Sequence, residues 1–73
     1  MTEFEAYNYC LSQIKVLTER LMNMGFDYDD QHGWYNYYNY RLNEKQQQEI
    51  NENIQKFQKY RDFSAMLRKR LGL

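Results

Sequence analysis

Seventy-three residues make one domain at most, and a chain this short buries a smaller fraction of its surface than an average domain does. One cysteine, Cys10, and one histidine, His32, exclude an intramolecular disulfide and fall short of a four-ligand structural zinc site. Ten basic and ten acidic side chains cancel to zero net charge, which removes bulk electrostatic attraction to DNA or to a membrane.

The chain opens on Met1-Thr2-Glu3-Phe4-Glu5, without the positive flank and apolar stretch of a signal peptide. No apolar run approaches the ~18 residues of a membrane span. A cytoplasmic location and no membrane partner are therefore expected. Thr2 and Glu5 have the spacing of a capping box, in which each side chain satisfies a free backbone N–H at a helix start. Phe4, Tyr7, Cys10, Leu11, Ile14, Leu17, Leu21 and Met24 follow at steps of three and four. At 100° per residue they share a face about 160° wide. Gly25 stands where a helix commonly ends in a left-handed residue. The pattern predicts a helix over 3–24, with Cys10 as a small core hydrophobe.

Residues 26–42 hold seven of the thirteen aromatic residues. Connections this long are usually functional when they are ordered. Asp27, Asp29, Asp30 and Gly33 mark a turn, whereas 34–42 fit either a strand or a short helix with Trp34, Tyr38 and Leu42 on one side. The aspartates suggest a calcium loop, but its register fails. An EF-hand begun at Asp27 needs glycine where His32 stands and glutamate where Tyr38 stands, so no metal is expected. His32 lacks an evident partner for acid–base work. No phosphate loop, paired-carboxylate motif or nucleophile motif occurs, so neither an enzyme nor a cofactor is expected.

Asn43 and Gln46 repeat the capping-box spacing, with Glu44 near the positive end of the helix dipole. The apolar face begins only at Ile50 and continues through Ile54, Phe57, Tyr60, Phe63, Leu67 and Leu71, drifting around the axis. A single helix over 44–71, roughly 42 Å long, is preferred to one broken near Arg61 with Asp62 capping a third helix. With proline absent and only three glycines, the fold class expected is all-α. It is a single domain built as an antiparallel helical hairpin with an aromatic-rich connector. Since a lone pair of helices buries one face of each, self-association into a helical bundle is expected, a dimer first.

Charge divides along the chain. Residues 1–32 carry six acids against two bases, and residues 33–73 carry eight bases against four acids. Two candidate surfaces follow. Asp29, Asp30, Trp34, Tyr35, Tyr37, Tyr38 and Tyr40 form an aromatic and acidic set suited to a protein partner, because tyrosine and tryptophan dominate interface energies. Arg61, Arg68, Lys69 and Arg70 form a basic set that, with interleaved aromatics, could hold nucleic acid. Basic residues in a last helical turn also complement its dipole without any ligand. Heavy use of Asn, Gln, Tyr, Lys and Ile resembles the small proteins of phages and mobile elements in low-GC bacteria. That resemblance implies a protein that binds and modulates a host factor. The alternatives are a small nucleic-acid-binding regulator and a structural assembly module.

Overall fold

The structure, a computed structural model, describes residues 1–38 and 41–73. Its elements run α1 (Glu3–Asn23), β1 (Phe26–Asp29), β2 (Gly33–Asn36) and α2 (Glu44–Leu71). Both capping boxes form. Thr2 Oγ1 accepts the Glu5 N–H at 3.1 Å while Glu5 accepts the Thr2 N–H, and Asn43 and Gln46 make the same exchange at 2.8 and 3.0 Å. After the C-cap Met24, Gly25 turns the chain at φ 88°, a conformation in which any Cβ would crowd the backbone.

The helices run antiparallel. Glu3 meets Arg70, Tyr9 meets Tyr60, and Leu21 packs with Ile50, so each step along α1 is a step back along α2. The drifting apolar face of α2 resolves into two neighbourhoods. Ile50, Ile54 and Phe57 meet the strands and the end of α1, whereas Ser64 and Leu67 are buried nearer its start. The helix is continuous. Asp62 caps nothing, because its carboxylate accepts a bond from Gln58 one turn back at 2.8 Å.

The expectation of an all-α chain is corrected at the connector. β1 and β2 pair antiparallel in the register Phe26↔Asn36, Asp27↔Tyr35, Tyr28↔Trp34, Asp29↔Gly33. Three turn residues, 30–32, join them, and Gly33 adopts φ 71°. Alternation sends Phe26, Tyr28 and Trp34 to one face, where Phe26 is 8% exposed and joins Leu21 and Ile50 in the core. Trp34 and Leu42 pack against that cluster as the helical alternative supposed, but Tyr38 lies in a turn, 61% exposed. The α1 stripe is also narrower than its periodicity suggests. Cys10, Leu17 and Leu21 are buried, but Phe4 and Leu11 are 56% and 42% exposed.

Candidate binding surface

The β-hairpin splits the predicted aromatic set by strand alternation. On its inner face Trp34 meets Tyr28 at 5.3 Å and Phe57 edge-on at 5.2 Å, and Tyr28 meets Phe57 at 5.5 Å. Such pairs each add about 0.5–1.5 kcal/mol beyond burial, so this triangle fastens the hairpin to α2. Trp34 is therefore a packing residue, partly buried against the core cluster. Its buried Nε1–H finds no acceptor among the described residues, a cost of about 1–3 kcal/mol that ring packing offsets.

Two predicted aspartates likewise serve the hairpin. Asp29 Oδ1 accepts the backbone N–H groups of Gln31 at 2.9 Å and His32 at 2.6 Å, and its carboxylate sits 3.1 Å from His32 Nδ1. The His32 backbone bond, then the His32 side chain, hold its carboxyl below the usual aspartate range. Asp29, three residues earlier, is thus the partner of His32, but the pair stands on an exposed turn and fixes the turn's shape. Asp30 reaches back to Arg61 at 3.6 Å, and the Arg61 guanidinium lies 5.2 Å from the Tyr28 ring centre.

The tyrosines form the outer surface. Tyr35, half-buried, stands opposite Asp27 on the solvent side of the hairpin. Tyr37 lies 6.4 Å from Tyr35 and packs edge-on against Tyr38 at 4.9 Å. Tyr37 and Tyr38, at 58% and 61%, are the most exposed aromatic rings among the described residues. Burial first, then the charges of Asp27 and Asp29, push the Tyr35 phenol above its ordinary value. Tyr37 and Tyr38 line an open cleft of about 430 Å³ with Met22, Phe26 and Asp27. Tyr40, the remaining member of the predicted set, lies outside the described residues.

Asp27 and Met22 are surface members that the sequence reading did not select. Asp27 passed for a turn marker, though its two-residue spacing from Asp29 is that of a strand face. Met22, 48% exposed, falls just beside the α1 stripe and carries no local signal.

The basic set is divided. Arg61, Arg68 and Lys69 line one groove with Tyr7 and Leu11. Arg61 is held by Asp30, and Arg68 Nε donates to the Leu73 carbonyl at 3.2 Å. Arg70 pairs instead with Glu3 on α1. Among the described residues no helix is long and apolar enough to cross a membrane. No family model matches the chain, and comparison with curated proteins and with solved structures finds none similar to it.

Proposed function

We propose that this chain is a non-enzymatic cytoplasmic binding protein whose outer β-hairpin surface occupies a site on a partner protein. No reaction is involved; occupancy is the mechanism. The observation that carries this reading is the pair of exposed, mutually packed rings of Tyr37 and Tyr38 beside Asp27 and Tyr35. Rings already propped against each other lose little freedom on binding, and large amphipathic rings are frequent anchors of interfaces. The acidic neighbours favour a partner surface that is apolar at its centre and basic at its rim. The compositional resemblance to phage and mobile-element proteins makes a host defence or replication factor the class of partner, with the chain acting as a homo-oligomer.

The test is a double substitution, Tyr37→Ala with Tyr38→Ala, which touches no ring of the Tyr28–Trp34–Phe57 triangle. In affinity capture from the native host, the variant should keep its helical circular dichroism and lose the partner retained by the parent chain. Undiminished capture by the variant would remove this surface from consideration.

A nucleic-acid role has one observation in its favour, the shared groove of Arg61, Arg68 and Lys69. Internal partners for Arg61, Arg68 and Arg70 make it the weaker reading. A gel shift at low salt, where phosphate contacts are strongest, separates the two.

A further inference from the structure

The β-hairpin covers the helix pair over only part of its length. Its contacts on α2 fall at Ile50, Ile54, Phe57 and Arg61, whereas Phe63 and Met66 point to the other side of that helix at 100° per residue, with Tyr60 on the flank between them. There, between the first turns of α1 and the later half of α2, runs an apolar groove of about 570 Å³. Met1, Tyr9, Tyr60, Phe63 and Met66 line it, with Cys10 buried at 2% exposure in its wall. Met1 is 90% exposed, and Tyr9, Phe63 and Met66 are 44–48% exposed. Tyr9 and Tyr60 meet edge-on at 6.0 Å, and a hydrogen bond to Tyr60 raises the Tyr9 phenol above its ordinary range.

We propose that a second copy of this chain occupies this groove, giving a two-fold dimer built on α1 and α2. The inference rests on the homo-oligomer part of the reading above and not on the tyrosine surface. Area is the first argument. The chain exposes 5761 Å², whereas a compact monomer of 9.1 kDa exposes about 4,900 Å². The surplus of about 900 Å², spread over the whole molecule, is as large as the roughly 800 Å² that each partner contributes to a standard interface. Shape agrees, since the radius of gyration is 13.9 Å against about 11 Å for a compact chain of this length.

Charge is the second argument. In a two-fold contact a patch meets its own copy, so a patch of one sign repels itself. The charged residues lining this groove, Lys59 and Asp62, are of opposite sign, and the whole chain carries zero net charge. A copy of the chain therefore meets no net repulsion, and near-zero charge favours association.

Sedimentation equilibrium of the full chain, up to about 100 μM, where a specific standard-size interface is saturated, should give twice the 9.1 kDa monomer mass. Phe63→Glu and Met66→Glu, tested singly, place like charges across the two-fold. Each should weaken the dimer by at least about thirty-fold, with helical circular dichroism retained. The Tyr37→Ala, Tyr38→Ala chain should remain a dimer, which separates this inference from the partner-binding surface. A monomeric parent chain, or a dimer indifferent to both glutamate substitutions, would overturn the proposal. The first result leaves the groove to a different partner, and the second moves the dimer contact elsewhere.

Discussion

Trp34 shows how one side chain takes its role from register. Opposite Tyr28 and edge-on to Phe57, it has turned inward and left its N–H without an acceptor among the described residues. Trp34→Ala removes the hub of the triangle and should cost about 3 kcal/mol or more, most of the margin that a core this small supplies. Trp34→Phe keeps a ring while deleting the unsatisfied donor, so it should cost less than about 1 kcal/mol. Urea denaturation of the two variants measures the difference, and equal losses would show that the indole itself, not ring packing, is what matters. None of this was legible locally. The same letters, Trp34 with Tyr38 and Leu42, fit a helical face, and only the Phe57 ring, 23 residues away, selects the strand. The Asp30–Arg61 pair is equally remote in sequence, which is why Arg61 read as a free cation.

At the scale of elements, both helices were readable because their signals are short-range. Each capping box lies within four residues, and Gly25 marks one end. The β-hairpin is half readable: its turn residues announce themselves and a strand is one of two readings for 34–42, but β1 carries no signal of its own. Asp29 controls that turn and makes it sensitive to acid. Its folded-state pKa lies below the ordinary value of about 3.9. The stabilisation is therefore complete above the ordinary value and disappears as pH falls through the lowered one. The amide shifts of Gln31 and His32 should move together on acidification, with a midpoint below that of an unperturbed aspartate. Asp29→Asn, which keeps an acceptor oxygen but cannot titrate, should abolish the step. A midpoint at or above the ordinary value would contradict the turn's dependence on ionised Asp29.

Across the whole molecule, the two halves of the helix pair are served differently. Near Leu21 and Ile50 the β-hairpin supplies a second layer, whereas around Tyr9 and Phe63 the apolar groove stands open. Two helices alone leave faces uncovered, but no local pattern in the sequence shows that a hairpin covers one of them. The candidate surface suffered the same limit. Exposed rings were expected, yet which rings face outward depends on a pairing that no local pattern encodes. Met22 joins Tyr37 and Tyr38 only because α1 ends beside the hairpin.

The position of Trp34 has a practical consequence. It is the chain's one tryptophan, and it sits on the joint between hairpin and α2 rather than within either helix. Its fluorescence is therefore a private signal for docking of the hairpin, while far-ultraviolet ellipticity reports the helices. Heating should give coincident curves if the molecule melts as one unit. If fluorescence changes first, the hairpin lifts from a surviving helix pair, and the surface that carries Tyr37 and Tyr38 is a hinged flap.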